Sequence, residues 1–155
     1  CLKVNPPLRT PRDAEAIRQG VVDGTVDVIV TDHAPHAEWE KAREFELAPF
    51  GMTGIETSLA LVLTHLVEPG KMSLARMVEA MSIKPREILG LDAVSIAPGF
   101  VADITVFDPD IEWTVGEDGY ESKASNSGFA GSKLRGRATD VFVGGKRTLK
   151  NGVVC

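Results

Sequence analysis

The chain has 155 residues, 43% hydrophobic and 25% charged, with 22 acidic against 17 basic side chains and a net charge of −5. That is the balance of a soluble globular protein, one domain or one and a fraction, able to bury roughly two thirds of its unfolded surface. Lys and Arg are scattered except between Lys133 and Arg137, which argues against nucleic acid or an anionic membrane as partner.

The two cysteines, Cys1 and Cys155, form neither a disulfide framework nor a metal motif, and this fits a reducing, cytoplasmic setting. The most apolar window, Ser58 to Val67, is shorter than the span of about 20 residues that a bilayer requires. No secretory leader pattern opens the chain, which enters without Met into Lys3-Val4-Asn5-Pro6-Pro7 and reads as the interior of something larger.

In chain order, Thr10-Pro11 is an N-cap and first-turn pair, and Asp13 adds negative charge at the helix start. Gly24 can close the helix, so one is predicted over 11–23 with Ala14, Ile17 and Val21 packed inward. Thr25 to Thr31 is β-branched and apolar on nearly both faces, which predicts a strand buried between layers. A connection of roughly 20 residues follows, with Trp39 and then Pro49-Phe50-Gly51, and connections of that length are usually functional or disordered. Leu59, Leu63 and Leu66 mark a helix ending by Pro69-Gly70, Ser73 caps another through Ala80, and Pro85 starts a short one ending near Gly90.

After Ala97-Pro98-Gly99 the apolar period changes to two. Ala102 to Phe107 alternates, Trp113-Thr114-Val115 follows, and Val141 to Leu149 reads as a hairpin around Gly144-Gly145. Asn151-Gly152 is a second turn signal before Val153-Val154, and Ser122 to Gly136 is expected to be mostly loop. The reading is therefore α/β over 1–91 and all-β over 92–155, the β unit being a thin sheet that needs further strands, placed upstream of Cys1, to close it.

Chemistry concentrates where the apolar run Val28-Ile29-Val30-Thr31 ends in Asp32-His33-Ala34-Pro35-His36. A buried strand that delivers such groups at its carboxyl end is how parallel α/β enzymes build sites. Asp32 reads either as a carboxylate tying the next turn or as a metal ligand and general base. His33 points the other way if the strand geometry persists and reads as structural, whereas His36, after a turn at Ala34-Pro35, can face a ligand. His65, inside an apolar helix, reads as a packing residue. Asn5, before two prolines, is either a rigidly presented donor and acceptor or part of a plain helix entry. Phe50-Gly51 is either a simple turn or a place where backbone amides approach a ligand. Asp and His at this spacing supply at most two or three ligands, so a metal site cannot be complete within this chain.

Taken together, Lys3-Val4-Asn5-Pro6-Pro7-Leu8-Arg9, Thr31-Asp32-His33-Ala34-Pro35-His36, Pro49-Phe50-Gly51 and Gly54-Ile55-Glu56-Thr57 resemble the carboxyl-terminal portion of the dihydroorotases of the amidohydrolase superfamily. Pro98-Gly99, Ala102-Asp103-Ile104, Ser122-Lys123, Asn126-Ser127 and Gly145-Lys146 extend the likeness over essentially the whole chain. The resemblance implies the last strands and helices of a (β/α)8 TIM barrel over 1–91 and part of a small β-sandwich over 92–155. It implies a binuclear Zn²⁺ centre interconverting dihydroorotate and N-carbamoyl-L-aspartate in pyrimidine synthesis. Asp32 then matches the aspartate that binds metal and relays a proton from the attacking hydroxide to the leaving ring nitrogen. Asn5 matches the asparagine contacting the ring, His36 the histidine holding the substrate carboxylate, and Phe50 and Gly51 the loop whose backbone meets the ring.

The family's His-x-His pair, bridging carboxylated lysine, further histidines and carboxylate-binding arginine have no counterpart here. A single Asp cannot hold two zinc ions, so the piece alone is expected to be inactive. Alternative readings are a hydantoinase- or allantoinase-type enzyme and a silent dihydroorotase-like subunit scaffolding aspartate transcarbamoylase. A stand-alone α+β domain is a further one. Expected partners are a small-molecule substrate and either a second copy or a transcarbamoylase, with neither nucleic acid nor membrane.

Overall fold

A computed structural model describes residues 2–155. Helix α1 (Pro11–Asp23) begins as its caps dictate: the Thr10 side chain accepts from the Asp13 amide, and the Asp13 carboxylate accepts from the Thr10 amide. It stops at Gly24, whose φ of 87° lies in the left-handed region. Of the three residues expected to face inward only Val21 is buried, and Ile17 is 62% exposed. The helix touches the core with its last turn alone, so its earlier apolar side chains have nothing to pack against among the described residues.

The run Thr25–Thr31 forms no strand ladder, in contrast to the sequence expectation, and bends at Thr25 and Val26. Its backbone is held at intervals, by Ile29 donating to the Ala80 carbonyl and by a parallel bridge between His33 and Met52. No strand lies alongside it among the described residues, so an apolar run suited to a buried strand stays half-covered, with Val30 73% exposed. Arg76 ties this run to α1, its guanidinium donating to the carbonyls of Val21 (3.0 Å) and Val26 (2.7 Å).

After the short helix α2 (Glu38–Lys41), helix α3 (Ile55–Val62) continues through one π-helical turn, 63–67. Helix α4 (Leu74–Val78), capped by the Ser73 hydroxyl on the Arg76 amide, passes through another π turn, 79–83, into α5 (Lys84–Ile88). His65 falls on the outer side of the first π turn and is exposed, so it is not the packing residue its neighbours suggested.

The carboxyl-terminal residues form an antiparallel meander of β1 (Ile104–Thr114), β2 (Lys133–Val143), β3 (Lys146–Lys150) and β4 (Val153–Val154). The two segments expected as separate strands are one edge strand, β1, whose register slips between Asp108 and Glu112; Pro109 sits at that slip, where no ladder bond is lost. Residues 133–136, expected as loop, belong to β2 because Lys133 and Leu134 pair with Thr114 and Trp113. The turns at Gly144-Gly145 and Asn151-Gly152 have positive φ at both positions, the geometry that matches strand twist in two-residue hairpins.

Helix α3 and its π turn join the two parts. Val62, Leu63 and Leu66 pack with Val21, Met72 and Met77, while Ala60, two residues before Val62, packs with Val115 and Leu134 under the sheet. Gly136 in β2 makes the approach possible, since a β-carbon there would lie 2.2 Å from the Leu63 Cδ1. Thr64 then hydrogen-bonds the Arg135 backbone, accepting from its amide at 2.8 Å.

Candidate functional site

At the end of this run Asp32 adopts a φ of +42°, a left-handed conformation that Asp tolerates better than most residues. Its side chain is exposed and makes no hydrogen bond among the described residues. His33, next in the chain, turns the other way. Its Nδ1 accepts from the Gly54 amide (3.1 Å) and the Ile55 amide (3.4 Å), which fixes the ring proton on Nε2 and ties the run to the start of α3. Gly54 is needed there because a β-carbon would fall 2.9 Å from the Thr31 carbonyl oxygen.

His36 sits beyond the Ala34-Pro35 turn. Its Nε2 lies 2.9 Å from the Phe50 carbonyl, an arrangement that makes Nε2 the donor and leaves Nδ1 facing Glu40 at 4.0 Å. Gly51 is buried against this turn, with its amide donating to the Lys3 carbonyl at 2.9 Å. That bond brings the segment carrying Asn5 to the Phe50–Gly51 loop. The Asn5 side chain is exposed and unbonded among the described residues, and Phe50 is 55% exposed. The backbone of 34–36, that of 50–52 and the segment from Lys3 are thus bonded together in series, with Asp32 two residues from one member and Asn5 two from another.

Four side chains hold this arrangement; Lys3, Glu56 and Asn126 stand in the motifs quoted above without a role of their own, and Lys41 stands outside them. Asn126 is buried and its amide bonds His36 N, Ala34 O and Gly51 O. Lys41 donates to the carbonyls of Pro49 and Gly51, both at 2.9 Å, and Lys3 donates to those of Phe45 (2.6 Å) and Ala48 (2.8 Å) while lying over the Phe50 ring. Burial, and then the neighbouring Lys3 charge, push the Lys41 ammonium below its ordinary pKa. Glu56, in the first turn of α3, accepts from the amides of Glu121 (3.0 Å) and Ser122 (2.9 Å). Burial raises its pKa, but the Ser122 side chain and those two amides, with the His33 imidazole, outweigh burial and leave the carboxyl below its usual range. Local sequence held no signal for Lys41, and Asn126 entered only as part of the resemblance, since their partners are backbone groups that only the folded loop brings near.

Among the described residues no three His, Cys, Asp or Glu side chains converge on a point where one ion could sit. His33 Nδ1 and His36 Nε2 are taken by backbone groups, leaving the Asp32 carboxylate and His36 Nδ1, which faces Glu40, as the free ligand atoms of residues 32–36. These residues do not by themselves fit a zinc centre, which needs at least three protein ligands.

The amidohydrolase family matches residues 4–148, and the chain belongs to it. It is 45% identical over 152 residues to a dihydroorotase of Pelotomaculum thermopropionicum and 49% identical over 148 residues to one of Geobacter metallireducens. These alignments take in 98% and 96% of this chain but only 36% and 35% of the relatives, so the chain spans about a third of their length. Among solved structures, the D-hydantoinase (dihydropyrimidinase) from Thermus sp. superposes with a TM-score of 0.91 at 30% identity, over 99% of this chain and 35% of that one. The L-hydantoinase (dihydropyrimidinase) from Arthrobacter aurescens gives 0.89 at 29% identity, with the same coverage.

Proposed function

We propose that the chain is the carboxyl-terminal part of a dihydroorotase-type cyclic amidohydrolase, with residues 1–91 contributing to a TIM barrel and 92–155 to a β-sandwich. The observation that carries this reading is the bonded series of the Asn5 segment, the His36 turn and the Phe50–Gly51 loop beside an exposed Asp32. Exposed apolar side chains, among them Ile17, Ile88, Leu89 and Val101, support further chain packed against these elements.

In this reading Asp32 accepts a proton from the attacking water and returns it to the ring nitrogen as the amide C–N bond breaks. Asn5 and the backbone at Phe50–Gly51 hold the ring, and His36 holds the substrate carboxylate. Zinc, in a binuclear centre, would polarise the amide carbonyl, with Asp32 the one ligand from this chain and the rest from sequence outside it. A cytoplasmic place in pyrimidine synthesis, and assembly with a second copy or with aspartate transcarbamoylase, belong to the same proposal. The described helices are none of them long and apolar enough to cross a membrane.

The test is hydrolysis of dihydroorotate with added Zn²⁺, by the protein at the full length of its relatives and by these 155 residues alone. The first is expected to turn over and the second to be inactive; turnover by the short chain refutes the view that essential ligands lie elsewhere. The likeness to hydantoinase structures favours a second reading, a hydantoinase-type substrate without the carboxylate, and comparing rates on dihydroorotate, hydantoin and allantoin decides between them. A silent scaffolding subunit is disfavoured by the presence of both Asp32 and His36.

A further inference from the structure

We infer that Asn126, from the loop before β2, is a positioning residue that sets the spacing between the His36 turn and the Phe50–Gly51 loop. The residue is 4% exposed, and a primary amide buried to that degree must have both its acceptor and its donors engaged. Oδ1 accepts from the His36 amide at 3.0 Å, and Nδ2 donates to the Ala34 carbonyl at 3.1 Å and faces the Gly51 carbonyl at 3.5 Å. Pro35 between them has no N–H, so one planar amide engages the donor and the acceptor that the turn presents. The Asn126 main-chain carbonyl meanwhile accepts from the Thr53 amide at 3.2 Å, docking the same loop on the segment that follows Gly51.

Only an amide satisfies this pattern at this length, because Asp lacks the donors and Leu lacks both. The bonds cross about 90 residues of sequence and land on the turn carrying His36 and on Gly51, not on the core beneath the sheet. The consequence for substrate binding rests on the function proposed above; the geometric claim does not.

The test compares N126L and N126D with the unaltered protein, at the full length of its relatives, by amide hydrogen exchange and by kinetics on dihydroorotate. In N126L, exchange in peptides containing His36 should quicken by about tenfold, whereas N126D keeps an acceptor and keeps that protection. Thr53, bonded to the main chain, should stay protected in both and so reports that the loop remains docked. KM should rise about tenfold in both variants with kcat within about threefold, a split that loss of folded protein would not give. Unchanged His36 exchange in N126L, or a fall in kcat with unchanged KM, overturns the inference. If N126L undocks the loop, the exchange and KM of N126D decide. An unaltered protein that leaves dihydroorotate intact overturns the function proposed above, and the exchange result then decides the role of Asn126 alone.

Discussion

Gly51 lies so close to Ala34 that a β-carbon on residue 51 would sit 2.5 Å from the Ala34 Cβ, at a backbone φ of +109°. Two separate penalties therefore oppose a side chain here, contact with the turn and a backbone conformation that L residues rarely adopt. Gly51→Ala is expected to cost about 1–3 kcal/mol from the backbone alone, with the contact adding to it. Adding Ala34→Gly should recover the contact part and leave the backbone part, which a double-mutant cycle of denaturant midpoints measures. Full additivity of the two changes would show that the residues do not meet.

Lys41 holds the loop from below through the carbonyls of Pro49 and Gly51. Lys41→Met should loosen residues 42–51 at a cost of about 1–3 kcal/mol, seen as faster trypsin cleavage after Arg43. Lys41→Arg should restore protection only in part, because a planar guanidinium does not reproduce the directions of an ammonium. Cleavage at the unaltered rate in Lys41→Met would mean that the loop is held without it.

For Asp32 the expectation is the reverse, a large loss of activity and a small loss of stability. The side chain is exposed and carries no bond among the described residues, and Asn also tolerates its left-handed backbone. In the full-length protein Asp32→Asn should reduce turnover of dihydroorotate by several orders of magnitude while shifting stability by no more than about 0.5 kcal/mol. Turnover near that of the unaltered protein would remove Asp32 from the proposed chemistry.

Glu56 gives the fold an acid-sensitive tie. Its carboxyl is held below the usual range by the Ser122 side chain and the Glu121 and Ser122 amides, against the opposing push of burial, so the folded state favours the ionised form more than the unfolded state does. That stability is complete above the ordinary glutamate value of about 4.3 and is lost as pH falls through the lower, folded value. Glu56→Gln should lower stability at neutral pH and flatten the acid limb of a melting-temperature profile. An acid limb of unchanged steepness would place the sensitivity in other carboxylates.

Elements whose signals lie within a few residues were legible in the sequence. Thr10-Pro11 and Gly24 bound α1, Ser73 caps α4, and Gly144-Gly145 and Asn151-Gly152 turn the sheet, because caps and tight turns are decided by local dihedral preferences and bonds to near neighbours. The Thr25–Thr31 run, whose residues predict a strand, forms none here for the opposite reason. A strand exists through its partners, and none flanks this run among the described residues.

The candidate site divides in the same way. By itself the sequence determined the residue types and spacing of Asp32, His36, Asn5 and Phe50–Gly51, and with them the family, since these are properties of the chain order. Only the tertiary structure decided that Asn126 and Lys41 hold those segments together, that His33 is consumed by the Gly54 and Ile55 amides, and that Ile17 and His65 face outward. Such bonds join backbone groups to side chains up to about 90 residues away, and no local preference encodes which carbonyl a folded loop will present to them.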